Sequence, residues 1–433
     1  MDVHLAEDQD VSDLAIVGGG ASGLAAAVAG ARLGLSVTVF EKMDRCGHKL
    51  CLTGGRKANF AHEATPTQIA DRFEQGQRLL PLLRRFPYQR IIRFFGSLGI
   101  TSRTDADGCI WPCGLDAAGV RDRLVQEAAR LDVVIRTSCR VTALEHAAGR
   151  SQTAEPGDRG QRWVVVTPEG RFLCRNICVA TGGASFPQTG STGDGLELCR
   201  RLGLATSPWF PALCALRTAE DLSSLAGITQ PRVATELVID STVAQRAEGP
   251  FVFAHQYVSG SAVLVPSGRA ARALGAGQDV RLKIDWVPDR SREQLAAEFA
   301  EARRIHPRQQ VLTRLAGYVA RRLGKVICAQ AGVPPDRMLC ELSRAGEKQA
   351  IAALKGTVFG ITGTEPMERA TVTGGGVSLD EIDITTCQAC RFPGLYITGE
   401  LLDTWAETGG YNLHFAWATG IAVAEAIAGR QLK

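Results

Sequence analysis

The 433-residue sequence lacks the charge, the long apolar runs and the leader that would indicate a nucleic-acid-binding, membrane or secreted protein. Its pI of about 8.4 is below the value of about 9 that marks dedicated nucleic-acid domains. No apolar run reaches the ~18 residues of a bilayer span, and residues 1–12 are acidic and polar, unlike a signal peptide. The thirteen cysteines are scattered and odd in number, as in a reducing compartment. We therefore expect a cytoplasmic protein with no membrane partner, and the modest charge does not indicate a nucleic-acid partner.

The sequence also lacks the motifs of a metal centre and of a second nucleotide site. Cys387-x-x-Cys390 has no matching second pair, so we expect no metal, and the role of this pair stays open. Leu274-Gly-Ala-Gly277 lacks the third glycine of a dinucleotide fingerprint. We therefore expect no separate NAD(P)H-binding domain.

The two ends of the chain show the alternation of strands and helices of a doubly wound α/β fold, in a chain long enough for two or three domains. The expected early elements are strand 13–17, a glycine-rich turn, helix 22–34, strand 36–41, helix 119–131, strands 132–137, 139–145 and 161–167 around a turn at 147–160, and strand 177–180. After Thr371 the alternation returns, with strand 394–398 and helix 412–428. The predicted fold class is α/β, a discontinuous Rossmann-like domain.

The middle of the chain has a different pattern. Short strands separated by proline and glycine fill about 206–286, and residues 289–355 show helical spacing. We place the nucleotide domain at 1–200 and 360–433, a β-rich domain at 201–288 and 340–359, and a helical subdomain at 289–339. The helical part carries arginines that form either a solvated face or a patch for phosphate or an acidic partner: Arg303, Arg304, Arg314, Arg321 and Arg322.

The N-terminal glycines carry the first chemical signal. Gly18-x-Gly20-x-x-Gly23 follows a strand and opens a helix, so its backbone can turn tightly and approach a pyrophosphate at the helix N-terminus. Glu41 ends the next strand, where a carboxylate can accept both ribose hydroxyls of an adenosine. The spacing predicts a dinucleotide site, the alternative being a structural turn.

The C-terminal segment distinguishes FAD from NAD, which share the same ADP half. Gly394–Asp403 reads as a strand ending in glycine and acidic residues suited to a ribityl chain. Gly409–Leu413 opens a helix whose N-terminal amides favour negative charge on a reduced flavin. The glycine-rich loop from Gly47 to Asn59 can close over the cofactor, with Lys49 neutralising charge. These features favour FAD.

Taken together, the motifs resemble the HI-0933-like flavoproteins, also called aminoacetone-oxidase-like or BaiN-like, over essentially the whole chain. The likeness rests on the motifs above together with Gly108-Cys-Ile-Trp-Pro112, Ala180-Thr-Gly-Gly183 and Thr371–Gly376. It implies an FAD domain, an inserted β-barrel-like domain and a helical domain nested in that insert.

The sequence departs from this family at two places. Where the family reads Gly-Gly-Gly-Arg-Cys-Asn, this chain has Gly54-Gly-Arg-Lys-Ala-Asn59, so a cysteine expected near the flavin is absent. The family's Thr-His-x-Gly-x-Ser-Gly-Pro becomes Ala254-His-Gln-Tyr-Val-Ser-Gly-Ser261. His255 and Ser259 survive and are our candidates for the substrate side.

The predicted cofactor contacts are Gly18, Gly20, Ala21, Ser22, Gly23, Glu41, Lys42, Lys49, Thr53, Gly54, Gly55, Asn59, Val141, Ala180, Thr181, Gly182, Gly399, Glu400, Asp403, Gly410, Tyr411, Asn412 and Leu413. We expect non-covalent FAD, hydride exchange at flavin N5 and a small-molecule substrate. Two reactions stay open: oxidation of an amine, and reduction of the C=C bond of an enone with NAD(P)H as a transient donor.

Two other functions stay open at this point. A flavin-binding regulatory or RNA-associated protein would use the arginine-rich helices. A nicotinamide-only dehydrogenase would leave Gly399–Leu413 without a purpose. Neither the substrate nor the oligomeric state follows from the sequence.

Overall fold

The computed structural model describes residues 11–146 and 163–432, and the predicted turn at 147–160 lies outside this part of the chain. The described chain forms two compact units: residues up to Trp209 together with those from Thr371 onward, and Phe210–Ala370. In this division the boundaries fall about ten residues further along the chain than the predicted domain limits.

The strands, in chain order, are β1 (Ser12–Val17), β2 (Val37–Phe40), β3 (Ala61–His62), β4 (Ser102–Thr104), β5 (Cys109–Pro112), β6 (Val134–Arg136), β7 (Ala143–His146), β8 (Trp163–Thr167), β9 (Gly170–Val179), β10 (Thr206–Ala212), β11 (Leu216–Thr218), β12 (Thr229–Ile239), β13 (Thr242–Phe253), β14 (Val258–Ser259), β15 (Val280–Asp285), β16 (Thr357–Thr364), β17 (Val372–Val377), β18 (Ile382–Asp383), β19 (Gln388–Ala389) and β20 (Leu395–Ile397).

The helices are α1 (Ala21–Arg32), α2 (Thr53–Arg56), α3 (Pro66–Ala70), α4 (Leu80–Arg85), α5 (Tyr88–Gly96), α6 (Ala117–Arg130), α7 (Asp194–Arg201), α8 (Ser261–Gly275), α9 (Arg292–Ile305), α10 (Val311–Leu315), α11 (Arg321–Ala331), α12 (Arg344–Leu354) and α13 (Gly409–Ala428). No helix of the described segments combines the length and the apolar character needed to cross a bilayer.

A mixed sheet forms the centre of the first unit. Its strand order is β18-β19-β20-β9-β1-β2-β6, and β8 with β7 pairs onto β9. β20, β9, β1, β2 and β6 run parallel. Val17 lies opposite both Phe40 and Val179, and Val179 lies opposite Ile397. The carboxyl ends of four strands therefore meet at one edge, which is where open α/β sheets bind ligands.

One predicted strand is shorter than the sequence indicated. The expected strand at 139–145 pairs as a strand only over β7, Ala143–His146. The preceding residues are bonded to the loop after β2, because Ser138 N–H donates to Met43 O and Cys139 N–H donates to Glu41 O. This anchoring holds the connection against the edge of the sheet that carries Glu41.

Two helices rich in small residues, α1 and α13, pack on each other, and α1 packs on the parallel strands β1 and β2. α1 is buried from Ser22 to Gly30, and α13 packs directly on it. A Cβ atom added at Gly420 would lie 2.3 Å from Ser22 O and 3.1 Å from Ala26 N. The last helix of the chain can therefore approach the first helix only because residue 420 has no side chain.

The second unit is a closed barrel with helices. The barrel order is β11-β14-β13-β12-β15-β16, around a core that includes Phe251, Phe253 and Trp286. Helices α9 to α12 span 292–354. The last of them, α12, therefore lies in the range predicted for the β-rich domain.

The arginine-rich helices of this unit are partly neutralised. Arg303 pairs with Glu347, Arg304 with Glu301, and Arg314 with Glu298. Among the ion pairs of the described residues none involves Arg321, and Arg322 donates to Ser224 O. Much of the arginine run is thus a paired, solvated face.

We predict that Gly420→Ala destabilises the first unit. The methyl group has no room between α13 and α1, and overpacking of this kind costs about 1–3 kcal/mol. The matched control is Gly96→Ala, at the end of α5, where an added Cβ would meet nothing within 4 Å. Urea unfolding of both variants measures the difference, and equal midpoints would show that the crossing of the two helices is not tight.

Candidate cofactor site

A cleft of about 500 Å³ opens at the carboxyl edge of the sheet, and every residue that lines it belongs to the first unit. Gly18, Gly20 and Glu41 line it, and so do Asn59 and Gly410. Gly410 lies ten residues, or about 15 Å, before Gly420 along α13, and Gly420 packs on Ser22 of α1. The cleft is therefore elongated and runs between the N-terminal turns of α1 and α13. We call the parts near Gly20 and near Gly410 the α1 end and the α13 end.

Each of the three glycines of the N-terminal motif is required for a different physical reason. Gly18 has a φ of +103°, and its added Cβ would lie 2.7 Å from Ala180 O. At Gly23 the added atom would lie 2.0 Å from Gly18 O. At Gly20 the nearest protein atom would be 3.9 Å away, so this position faces open space in the cleft. Gly18 and Gly23 shape the turn, and Gly20 leaves room for a ligand at the N-terminus of α1.

Glu41 is buried and holds the loop that follows β2. Its Oε2 accepts the N–H of Gly19 and its Oε1 accepts the N–H of Met43, each at 2.8 Å. Carboxylate oxygens can accept more than one hydrogen bond. Glu41 is therefore oriented by the backbone and can still accept ribose hydroxyls.

A smaller cavity of about 50 Å³ adjoins Glu41 and is lined in part by Lys42, Val141 and Asp194. Lys42 Nζ lies 2.9 Å from Asp194 Oδ2, which Arg140 also contacts. Burial alone would raise the pKa of Asp194, but hydrogen bonds from Thr192 and Lys42 hold it below its usual value. Lys42 and Val141, both predicted cofactor contacts, thus lie at this cavity and not in the main cleft.

Lys49 and Glu400 form an ion pair in the cleft. Lys49 Nζ lies 2.7 Å from Glu400 Oε2 and 2.6 Å from Ser185 Oγ, and Thr373 N–H donates to Glu400 Oε1 at 2.8 Å. Burial alone would raise the pKa of Glu400, but the Lys49 ammonium and these hydrogen bonds hold it below its usual value. Lys49, predicted to neutralise cofactor charge, is already neutralised by Glu400.

The loop at the α13 end of the cleft adopts left-handed backbone angles at four of the five positions from Gly54 to Ala58. Gly54, Gly55, Arg56 and Ala58 all have φ between 56° and 71°. Such angles cost free energy for residues other than glycine and are concentrated at functional sites. Trp111 packs against this turn, because a Cβ added at Gly54 would lie 2.9 Å from its ring.

The first turn of α13 also faces the cleft through Gly409, Gly410, Asn412 and Leu413. Thr408, at the N-cap, makes no side-chain cap hydrogen bond. Asn412 instead secures the preceding loop, because its side chain bonds both N–H and C=O of Ala406 at 3.0 Å. The free N–H groups of the first turn can therefore serve a ligand.

Several predicted contacts have other roles in the structure. Gly23 packs on Gly18, and Gly399 packs on Ser22. Asp403 accepts a hydrogen bond from Ser207 Oγ at 2.6 Å, and Tyr411 stacks on His62. None of these four lines the cleft.

His255 and Ser259 belong to the second unit, where His255 is exposed in the turn after β13 and Ser259 lies on β14. Their role stays a prediction.

Other lining residues were not named individually as predicted contacts, although those at 47–52 and Gly409 lie in segments predicted to face the cofactor. They are Arg45, Gly47, His48, Leu50, Leu52, Trp111, Phe186, Thr189, Gly190, Ser191, Thr371, Val372, Thr404, Gly409, Phe415 and Ala416. Trp111 was part of a quoted motif, and several others flank predicted contacts. Phe186, with φ of 55°, lies in a glycine-rich turn that no sequence rule connects to the cleft.

The cleft fits FAD. Its volume is within the range of ligand pockets, and its ends offer an open glycine at one helix N-terminus and free amides at another. Asn59 Oδ1 and Thr181 Oγ1, from two residues that line it, are buried without hydrogen-bond partners in the described structure. Such groups normally have a partner. Thr181 Oγ1 faces Gly195 of α7, whereas Asn59 Oδ1 lies beside Gly410, which lines the cleft. The Asn59 oxygen therefore indicates a polar ligand.

Comparison with known proteins gives matches over nearly the full length. The model of the HI0933-like protein Rossmann domain matches residues 12–426. The 3-dehydro-bile acid delta(4,6)-reductase of Clostridium scindens is 30% identical over 422 residues, 96% of this chain and 99% of that protein. The ribosomal RNA dihydrouridine synthase of Haemophilus influenzae is 28% identical over 420 residues, 96% of this chain and 98% of that protein.

A solved structure shares the fold. The 3-ketosteroid delta1-dehydrogenase from Sterolibacterium denitrificans superimposes with a TM-score of 0.51 at 13% identity, covering 97% of this chain and 100% of that one. At this identity the likeness shows the fold alone.

We predict that Gly20→Ala weakens FAD binding without unfolding the protein. The added methyl has space in the polypeptide but projects into the cleft, so the Kd for FAD should rise about tenfold, equivalent to ~1.4 kcal/mol. Titration of apoprotein with FAD, followed by flavin fluorescence, measures Kd, and thermal unfolding of the apoprotein checks the fold. Gly96→Ala is the control. Unchanged FAD affinity in Gly20→Ala would place the cofactor elsewhere.

Proposed function

The chain belongs to the HI0933-like family of Rossmann-domain proteins, and we propose that this FAD-dependent oxidoreductase reduces a carbon–carbon double bond conjugated to a carbonyl group in an apolar small molecule. A reduced nicotinamide, NADH or NADPH, is the electron donor. The observation that carries the proposal is the identity with the bile acid reductase over almost the whole of both chains. In the net reaction the donor loses a hydride, the β-carbon gains it, and the α-carbon gains a proton.

The residues of the cleft have distinct tasks in this reaction. FAD, when bound, supplies two-electron transfer between donor and substrate. The N-terminus of α1 binds the pyrophosphate, and Glu41 binds the adenosine ribose. The positive end of α13 stabilises negative charge at the opposite end. The ion pair of Lys49 with Glu400 holds two segments of the cleft wall together.

The charges of the cleft favour an enone over an amine. Glu41 and Glu400 are the carboxylates among its lining residues. The first is held by two backbone amides at the α1 end, where its remaining acceptor capacity serves the adenosine ribose, and the second is paired with Lys49. No free carboxylate of the described lining remains to bind a protonated amine. A neutral conjugated ketone needs no such partner.

The apolar part of the lining supports a hydrophobic substrate. Leu52 is 37% exposed although it lies in the cleft. Trp111 and Phe186 also line the cleft. Exposed large apolar side chains that share a cavity indicate a binding surface. A fused-ring ketone would cover them.

A second candidate is reduction of uracil in RNA. The relative from Haemophilus influenzae is named for ribosomal RNA, and the C5–C6 bond of uracil is likewise conjugated to a carbonyl group. Arg321 and Lys325 on α11 are exposed and take part in no ion pair of the described residues. Arg303, Arg304 and Arg314 are paired with glutamates and are not free to bind phosphates. This favours a small-molecule substrate over RNA.

We expect NADH or NADPH to bleach the flavin under anaerobic conditions in a stopped-flow experiment, and a 3-keto-4-ene steroid to restore its absorbance. A saturated 3-ketosteroid, the matched control, should leave the flavin reduced, because it has no double bond to accept the electrons. Uridine-containing RNA is tested in parallel. The proposal fails if an amine bleaches the flavin without nicotinamide, or if RNA restores the absorbance and the steroid does not.

We also predict that Leu52→Asn raises KM for the ketone about tenfold, with kcat within about twofold of wild type, because the variant loses apolar contact made equally in ground and transition states. Val134→Asn is the control, since Val134 is exposed on β6 outside the cleft. Steady-state kinetics decide the outcome, and an unchanged KM in Leu52→Asn would remove this residue from the substrate surface.

A further inference from the structure

Asn59 has a buried, unsatisfied acceptor at the wall of the cleft. Its side chain is 8% exposed and it lines the cavity. Within the described structure its Oδ1 has no hydrogen-bond partner. A buried carbonyl oxygen without a donor is costly, and native proteins rarely leave one in that state. This oxygen therefore points to a ligand that brings an N–H or O–H group.

The orientation of the Asn59 amide is fixed by its neighbours. Asn59 lies close enough to Cys109 to lower the pKa of its thiol, as a hydrogen-bond donor does, which assigns the amide nitrogen to the side of the thiol and leaves the oxygen free. A Cβ added at Gly410 would lie 2.7 Å from both Nδ2 and Oδ1. The amide is thus packed against the backbone of the first turn of α13 and cannot rotate without displacing it.

Three side chains, Cys109, His62 and Tyr411, contact one another on the side of Asn59 away from the cleft. Cys109 lies opposite His62 in the pairing of β5 with β3, and its Sγ is 3.5 Å from His62 Nε2. The His62 ring stacks on Tyr411 with centroids 4.7 Å apart and planes 15° from parallel. Tyr411 directly follows Gly410 on α13. The contacts of Cys109, His62 and Tyr411 therefore lead back to the helix against which Asn59 packs.

Cys109 and His62 are both neutral near pH 7. Burial raises the pKa of Cys109, and Asp105 and Asp107 raise it further. Burial lowers the pKa of His62, assisted by Arg72 and opposed by the same two aspartates. Glu407, which is ion-paired with Arg72, is the other charged group near Tyr411. A protonated thiol next to a neutral imidazole keeps an acceptor in place for the Asn59 amide nitrogen.

We propose that Asn59 is a positioning residue whose Oδ1 accepts a hydrogen bond from a ring N–H that the flavin carries only after reduction, and that Cys109 holds Asn59 in the required orientation. Reduction adds charge and a proton to the ring system. The first turn of α13 favours that charge, and the adjacent Asn59 oxygen favours that proton. Both act in the same direction, so together they raise the reduction potential of the bound flavin. This inference concerns the cofactor and holds whichever substrate the enzyme takes.

The test measures the midpoint potential of FAD bound to the purified holoenzyme, by equilibration with a reference dye. Asn59→Leu should lower the equilibrium constant for two-electron reduction about tenfold, which is a shift of about 30 mV to more negative potential. Cys109→Ala removes the partner of the amide nitrogen and should shift the constant in the same direction by about threefold, roughly half that shift in mV. Cys109→Ser keeps a hydroxyl in the same place and should retain the wild-type potential.

The controls separate this role from a merely structural one. Cys113→Ser alters an exposed thiol just after β5 and should leave the potential unchanged. The Kd for oxidised FAD, from fluorescence titration, should stay close to wild type in every variant. An unchanged potential with weaker FAD binding in Asn59→Leu would mean that the oxygen bonds a group present in both redox states, and would overturn the proposal. If Asn59→Leu does not fold, the difference between Cys109→Ala and Cys109→Ser decides, and equal potentials for the two would also overturn it.

Discussion

The close approach of three backbone segments at the carboxyl edge of the sheet is the constraint on which the rest of the first unit depends. Gly18 turns with positive φ against Ala180 O, and Gly23 brings α1 against the carbonyl of Gly18. Any side chain at Gly18 or Gly23 would separate β1, β9 and α1. Because these elements are in contact, the N-terminus of α1 lies directly at the strand ends, and the amides there reach the same cleft as the carboxylate of Glu41.

Electrostatic pairing completes the cleft. Its acidic residues are held by partners of their own: Glu41 by backbone amides and Glu400 by Lys49. The polar atoms left without partners are instead neutral, Asn59 Oδ1 and Thr181 Oγ1. A cleft whose acids already have hydrogen-bond or ion-pair partners, with two helix N-termini and apolar walls, suits a dinucleotide whose reacting ring changes charge and protonation, next to a neutral apolar substrate.

The sequence predicted the α/β fold class, and the resemblance to the HI-0933-like flavoproteins is confirmed by the family match. Both rest on short motifs that are each local in the chain, such as the glycine motif, the strand before it and Glu41, which lie within thirty residues. Individual side-chain contacts between distant segments did not follow from the sequence. Lys49 and Glu400 are 351 positions apart, and nothing in either neighbourhood indicates that they pair. Nothing in the sequence links His62, Cys109 and Tyr411. The β3–β5 pairing places His62 beside Cys109, and Tyr411 of α13 stacks on His62.

The division of the first unit along the chain has a consequence for biogenesis. Ser22 and Gly420 are in contact, yet an entire barrel with its helices is inserted between them. Contacts so distant in sequence form late and slow folding. During synthesis on the ribosome, the face of α1 that packs on α13 stays exposed until α13 has been synthesised. Premature termination anywhere after the barrel would thus leave a folded insert attached to a half-built nucleotide domain with exposed apolar surface, a natural substrate for chaperones and proteases.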